Sequence, residues 1–132
     1  MTIFEKIIAR EIPAHIVWED DYHIAFLDIK PIQAGHVLLV PKKPVENILD
    51  MNEEEYGALW LQAKKLALPL QQATGAARIG FVVEGFGVDH VHIHLVPINN
   101  PHELDSRNAK DASPEELEEI AEKIKNEINK AL

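Results

Sequence analysis

The chain has 132 residues, close to the commonest size of one domain, and its 46% hydrophobic and 27% charged residues indicate an ordinary globular protein. Thirteen basic and 22 acidic residues give a net charge of -9, which argues against nucleic acid or an anionic membrane as partner. The absence of cysteine excludes disulfides and cysteine metal sites, and we expect a cytoplasmic protein.

The first residues predict a short N-terminal helix. Ile3, Phe4, Ile7 and Ile8 recur at helical spacing before Pro13 stops the pattern. Charged residues interrupt this segment, unlike the apolar run of a signal peptide, and no stretch reaches the ~18 apolar residues of a membrane helix. We therefore expect no membrane partner.

Three strands are predicted next, as a meander. Residues 14–20 (AHIVWED) and 22–28 (YHIAFLD) alternate apolar and polar side chains across an Asp-containing turn. Residues 35–42 (GHVLLVPK) form a buried run after the breakers Pro31 and Gly35.

Two further helices are predicted from capping residues followed by apolar stripes. The long helix begins after Asn52, and Pro69 is expected to kink or end it. Leu61 and Leu68 lie off its stripe, so this chain or a partner subunit is expected to cover a second face. The C-terminal helix begins after Ser113.

Between these helices, residues 77–85 (ARIGFVVEG) and 89–97 (DHVHIHLVP) predict two more strands around a short glycine loop. Strands and helices are roughly segregated along the chain. The predicted class is therefore α+β, with a sheet of about five mostly antiparallel strands, a short N-terminal helix, one long helix and a C-terminal helix.

The segment His90-Val91-His92-Ile93-His94 carries the candidate chemistry. Residues two apart in a strand share a face, so the three imidazoles are expected side by side, with the two apolar residues toward the core. A solvated sheet face is a poor explanation, because Thr, Lys or Glu would serve equally well. Imidazole is both a metal ligand and a nucleophile, and the spacing leaves open a metal-dependent hydrolase with three histidine ligands or a histidine nucleophile.

Beyond this segment, the chain resembles the histidine triad (HIT) family, whose signature is His-x-His-x-His followed by apolar residues. Blocks that match the family's N-terminal half in order are residues 2–8 (TIFEKII), 11–14 (EIPA), 25–28 (AFLD) and 35–42 (GHVLLVPK). The resemblance covers about residues 2–98. It implies a HIT-like fold, a HIT domain at residues 1–100, a helical extension at 101–132 packed on the same domain, and a homodimer.

The resemblance implies that His92 attacks the α-phosphorus of a nucleotide and forms a covalent nucleotidyl-histidine that water then hydrolyses. His94 would contact the phosphate and the leaving group, while His90 and His36 would support the reaction. The implied substrates are nucleoside phosphoramidates or dinucleoside polyphosphates with a purine base, and no metal or cofactor is expected. A nucleotide-binding sensor with little turnover is a further alternative.

The same resemblance implies the ligand contacts. Asp28 matches the carboxylate that binds the ribose hydroxyls. Backbone N–H groups of the loop at residues 85–88 can bind phosphate oxygens, with Gly87 preferred. The residues that match the apolar walls around the base are Ile3, Phe4, Ile7, Phe26 and Ile29.

Two departures from the family pattern limit the expectations. Thr2 and Glu5 stand where some relatives carry a Cys-x-x-Cys pair that helps to bind zinc, so no structural zinc is expected there. The segment between Val83 and the triad is shorter than in the phosphoramidate-hydrolase branch, as in short-loop bacterial-type members. That branch's amide and hydroxyl groups on the leaving-group side are therefore missing.

Overall fold

A five-stranded sheet organises the protein in a computed structural model that describes residues 1–131. The elements are α1 (Ile3–Ile8), β1 (Ile16–Glu19), β2 (His23–Leu27), β3 (Val37–Pro41), α2 (Glu53–Thr74), β4 (Arg78–Val82), β5 (Ile93–Ile98) and α3 (Pro114–Ala131). The strand order is β1-β2-β3-β5-β4, and every pairing is antiparallel. The predicted α+β class and the three-strand meander are confirmed.

The sheet separates two apolar clusters, because successive side chains of a strand point to opposite faces. Helices α2 and α3 pack on the face that carries Ala25, Leu27, Val37, Leu39, Ile93 and Leu95. Helix α1 covers the other face with Phe4 and Ile7, which pack with Ile24, Phe26, Leu38 and Val40. The ring of Phe4 also contacts the rings of His90 and His92 edge-on, so the histidines share the α1 face.

The long helix continues past Pro69 and does not end there, and the alternative of a kink at Pro69 stays a prediction. Helix α2 runs from Glu53 to Thr74 and stops at Gly75, whose φ of 69° is the left-handed conformation that glycine accepts readily. Proline removes one backbone donor, but the ring of Pro69 is fully buried, and its helix neighbours Leu66 and Leu70 are buried too. Burial of this apolar surface offsets the missing hydrogen bond.

The triad segment is not one continuous strand, which corrects a second expectation. Strand β5 begins only at Ile93, and its ladder with β4 ends at the Val82 and His94 pair. The N–H of His90 donates to the carbonyl of Val88 at 2.8 Å, so a tight turn precedes the strand. Of the three histidines, only His94 lies in the sheet ladder.

Helix α3 begins with the predicted capping box, in which Ser113 and Glu116 each accept the other's backbone N–H. Its buried side chains join the core cluster beneath α2, at Leu117, Ala121, Ile124 and Ile128. The division of the chain at residue 100 stays a prediction. Across residues 1–131, no helix is both long and apolar enough to cross a bilayer.

Candidate active site

Four histidines converge where β3 and β5 meet on the α1 face. His36 precedes β3, and the pairing of Leu38 with His94 brings the two strands together. His36 Nε2 lies 2.9 Å from His94 Nδ1, and the ring centroids of His92 and His94 are 4.9 Å apart. The predicted catalytic residues His36, His90, His92 and His94 thus form one contiguous row.

His90 is the interior end of this row. Its side chain is fully buried, and Nε2 lies 2.7 Å from the carbonyl oxygen of Pro41. A carbonyl oxygen only accepts hydrogen bonds, so Nε2 carries the ring proton. A fully buried ring has no free surface for a ligand, and His90 can support the site without touching the nucleotide.

The backbone sets the tautomer of His92. Its Nδ1 lies 2.7 Å from the carbonyl oxygen of His90 and must donate to it, which leaves a lone pair on Nε2 of the neutral ring. Burial lowers the pKa of His92, although the hydrogen bond to His90 opposes this effect. The ring is therefore neutral at pH 7 and has the free Nε2 that nucleophilic attack requires.

Neutral His94 carries its proton on Nε2, whereas neutral His92 carries its proton on Nδ1. The N–H of Ile32 donates to His36 Nδ1 at 3.0 Å, so neutral His36 carries its proton on Nε2. That N–H donates to His94 Nδ1, and neutral His94 must then hold its own proton on Nε2. Two neighbouring rings thus offer a lone pair on His92 and a hydrogen-bond donor on His94.

The hydrogen-bonded pair of His36 and His94 is called the relay below, and burial keeps it neutral. Burial lowers the pKa of His36 to about 4, an effect that Asp28 opposes and that His94 and His92 reinforce. Burial also lowers the pKa of His94, with His92 adding to the decrease. At pH 7 the relay therefore consists of neutral rings, and its tautomers follow from their hydrogen-bond partners.

A buried neutral histidine makes stability depend on pH. The pKa of His36 is about 4 in the folded protein and about 6.5 in the unfolded chain, so the unfolded chain binds an extra proton between these values. The free energy of unfolding is therefore highest above pH 6.5 and decreases as the pH falls toward 4. Protonation of His36 accounts for a decrease on the order of 3 kcal/mol. Urea unfolding at pH 7, 6 and 5 should show a smaller loss for His36→Gln than for the parent. Equal losses would contradict this prediction.

The geometry also bears on the metal alternative. Within residues 1–131, the one group of His and acidic side chains close enough to share an ion is Asp28, His36 and His94, whose ligand atoms lie within 4.8 Å of one another. The set of three triad histidines is not such a group. Because His36 Nδ1 accepts a backbone N–H, its Nε2 carries a proton and offers a metal no lone pair. The donor set suits a hydrogen-bond relay better than a metal.

Asp28 stands at the edge of the histidine row. Its Oδ1 accepts the N–H of Lys30 at 2.9 Å, and its Oδ2 lies 3.8 Å from His36 Nε2. The side chain is partly exposed, so it has acceptor positions left for another hydroxyl group. The ribose contact expected of Asp28 stays a prediction.

The predicted base walls fall into two groups. Ile3 and Ile29 are largely exposed and offer free apolar surface. Phe4, Ile7 and Phe26 are buried in the cluster beneath α1 and support that surface from within. Only the first two can contact a ligand without rearrangement of the core.

The glycine loop before the triad has free main-chain donors. Gly85 adopts φ 86°, whereas Gly87 does not have a positive φ, so the need for glycine falls on Gly85 rather than on the preferred Gly87. The backbone N–H groups of residues 85–89 have no protein acceptor within the described part of the chain. They are available to bind an anion.

Three contributors were not predicted from the sequence. The carbonyl of His90 and the N–H of Ile32 determine the tautomers, and a backbone group leaves no signal in residue type. Glu84 is the third, two residues beyond Val82, and its charge favours protonation of His92 and His94. Val82 pairs with His94, and a residue two positions further along a strand points to the same face. This alternation was a signal that could have identified Glu84.

Fold and site together define a class of protein: an α+β domain with an open antiparallel sheet that presents neutral histidines of opposite tautomer beside a loop of free amides. The profile of the HIT domain matches residues 9–101. The chain belongs to the HIT family, within a superfamily of nucleotide-binding hydrolases.

Known proteins resemble the chain over most of its length. An uncharacterised HIT-like protein from Synechocystis is 44% identical over 72% of this chain and 88% of its own. The crystal structure of a Hit-like protein involved in cell-cycle regulation from Bartonella henselae is 35% identical, with a TM-score of 0.85 over 96% of this chain and 95% of that one. A bis(5'-adenosyl)-triphosphatase from Dictyostelium discoideum is 29% identical over 81% of this chain and 78% of its own.

Proposed function

We propose that this protein cleaves a nucleoside phosphoramidate or dinucleoside polyphosphate by attack of His92 on the α-phosphorus. The observation that carries the proposal is the tautomer of His92, whose Nδ1–H is held by the His90 carbonyl while Nε2 keeps its lone pair. The triphosphatase relative supports the dinucleotide alternative.

The reaction has two displacements. The Nε2 lone pair of His92 forms a bond to phosphorus as the leaving group departs with its electron pair, and the His90 carbonyl stabilises the cationic ring through Nδ1–H. Water then attacks phosphorus, the P–N bond breaks, and His92 and a nucleoside monophosphate are released as the water proton passes to solvent. The Nε2–H of His94 would stabilise the charge that develops on the phosphoryl oxygens.

The remaining predicted residues bind the nucleoside. We assign the ribose to the free acceptor positions of Asp28 and the base to the exposed side chains of Ile3 and Ile29. A purine fits this assignment better than a pyrimidine, because its larger ring buries more apolar surface. The phosphate would take hydrogen bonds from the free amides of the loop, that of Gly87 included.

Trapping the intermediate tests the mechanism. The parent protein is mixed with adenosine phosphoramidate or diadenosine triphosphate and quenched in alkaline denaturant, because a P–N bond is labile in acid. Intact-mass analysis should show one adenylyl group per chain during turnover. Turnover that a chelator abolishes and that yields no adduct would favour the metal alternative. Tight binding of AMP without turnover would favour a sensor.

We also propose a homodimer through β4 and the outer face of α2. Strand β4 is an edge of the sheet, and edge strands pair readily with another chain. Leu61, Leu68 and Phe81 expose large apolar side chains on these two elements. The ring of Trp60 lies 6.2 Å from that of Phe81, between the helix and the strand. A second copy would bury this surface.

Charge placed on this surface should separate the subunits. We expect the parent to sediment as a dimer and the double variant Leu61→Glu, Phe81→Glu to sediment as a monomer, because two carboxylates on each subunit would lose their water. Leu49→Glu is the matched control, since Leu49 is an exposed leucine outside the two elements. A monomeric parent in sedimentation velocity would refute the dimer.

A further inference from the structure

The C-terminal segment at residues 108–112 contacts the loop that carries the nucleotide residues, although it lies outside the matched HIT profile. The N–H of Lys110 donates to the carbonyl of Pro31 at 3.2 Å, and the N–H of Ala112 donates to that of Ile29 at 3.3 Å. Lys30 and Asp111 form only an exposed ion pair at 3.9 Å, which contributes little. Two main-chain hydrogen bonds therefore join the segment to the loop.

This loop, residues 28–36, sets the geometry of the relay. Its base is closed by the N–H of Asp28, which donates to the carbonyl of His36 at 3.0 Å. Its middle provides the N–H of Ile32 that holds the proton of His36 on Nε2. The position of one loop amide thus decides which nitrogen of His36, and in turn of His94, carries the proton.

Residues 28–34 of the loop are only half-buried or exposed, whereas Gly35 and His36 at its end are buried. A cavity of about 570 Å³ is lined by the loop, by residues of the 108–112 segment and by the start of α3, and polar side chains such as Gln33, Glu103, Asn108 and Glu116 form part of its lining. A segment with few buried apolar contacts opens at low free-energy cost, so its few hydrogen bonds carry more weight. Lys110, Ala112 and Pro31, which take part in the two hydrogen bonds, also line this cavity.

We propose that residues 108–112 act as a brace that positions the His36 relay. The brace holds the loop through the carbonyls of Ile29 and Pro31 and so keeps the N–H of Ile32 hydrogen-bonded to His36 Nδ1. This hydrogen bond in turn keeps the proton of His94 on Nε2. The residues of the brace are positioning residues that touch no reacting atom. The kinetic consequence rests on the proposed function, whereas the tautomer consequence does not.

Loss of the brace has a defined chemical effect. Once the N–H of Ile32 leaves Nδ1, His36 can adopt either neutral tautomer. In the alternative one, His36 Nε2 accepts a hydrogen bond, so His94 donates from Nδ1 and turns a lone pair toward the phosphate. The donor that stabilises the transition state is then lost, which lowers kcat. Movement of Asp28 and Ile29 with the loop raises KM.

Lys110→Pro is the sharpest variant, because it removes one N–H of the brace. The preceding residue, Ala109, already has the extended conformation that a following proline requires, with φ -62° and ψ 132°. Lys110→Ala is the matched control, since it removes the same side chain and keeps the N–H. Ala112→Pro removes the second donor independently.

Three measurements on the full chain test the brace. In Lys110→Pro we expect the Ile32 amide to exchange about tenfold faster, the ¹⁵N shifts of the His36 ring to move toward an average of two tautomers, and kcat to fall about three- to tenfold with a higher KM. Lys110→Ala should match the parent. These results support the brace.

Parent-like ¹⁵N shifts and kinetics in folded Lys110→Pro and Ala112→Pro would overturn the proposal. If neither variant folds, the parent decides, because an Ile32 amide that exchanges at an unprotected rate also overturns it. If the parent forms no nucleotidyl adduct, the proposed function fails. The ring shifts and amide exchange still decide the brace in that case.

Discussion

Replacing His92 by alanine is expected to abolish the adenylylated protein and to lower kcat/KM by roughly 10⁴-fold or more, the scale seen when a covalent nucleophile is removed. No other ring of the row replaces it. His94 uses Nδ1 as an acceptor and carries a proton on Nε2, and His90 is buried with Nε2 on a carbonyl. Rapid-quench mass analysis and steady-state kinetics on the same substrates measure both effects.

Two controls separate chemistry from structure. His15→Ala removes a histidine outside the row and should react like the parent. Both His15→Ala and His92→Ala should keep a cooperative unfolding transition. His92→Gly leaves a space that free imidazole can fill, so added imidazole should restore turnover without labelling the protein. An adduct of parental yield in His92→Ala would show that another residue attacks phosphorus.

The periodic parts of the fold could be predicted because each depends on local patterning. The stripes of α1, α2 and α3 follow from which side chains reach the core, whereas all five residues of β2 are buried because apolar clusters cover both faces of the sheet. Whether the helix ends at Pro69 could not be predicted, because the outcome depends on burial of the proline ring, which is a tertiary property. The strand expected over the whole triad was wrong at its start, because the ring of His90 bonds to the carbonyl of Pro41 at the end of β3 and the N–H of Val91 bonds to the carbonyl of Val45 in the segment after β3.

The candidate site also has features that the sequence could predict and features that it could not. The triad could be proposed from its spacing, and His36 and Asp28 from the family resemblance, because residue type is visible in a sequence. Their protonation could not, because it depends on main-chain groups. The carbonyl of His90 and the N–H of Ile32 would be the same for any residues that kept the backbone path. Spacing therefore left metal binding and nucleophilic attack open, and the tautomers now favour attack.

The tautomer of His94 leads to the second large effect. His94→Ala should lower kcat about 10²- to 10³-fold, because it removes a hydrogen-bond donor to a developing oxyanion. His94→Gln should retain activity within about tenfold, since its side-chain N–H can occupy a position close to that of Nε2–H. Stopped assays of nucleoside monophosphate release measure both variants, and His15→Ala again serves as the control.

His94→Gln also separates two roles of His94. An amide can donate a hydrogen bond but cannot release a proton at neutral pH. A polyphosphate leaves as an anion and needs no proton, whereas the amine of a phosphoramidate needs one. If His94 acted as a general acid, His94→Gln would lose the phosphoramidate reaction selectively. Burial lowers the pKa of His94, and His36 already donates to its Nδ1, so the resting ring has no extra proton to give. We therefore expect His94→Gln to slow both substrates to a similar extent, with the amine protonated by water.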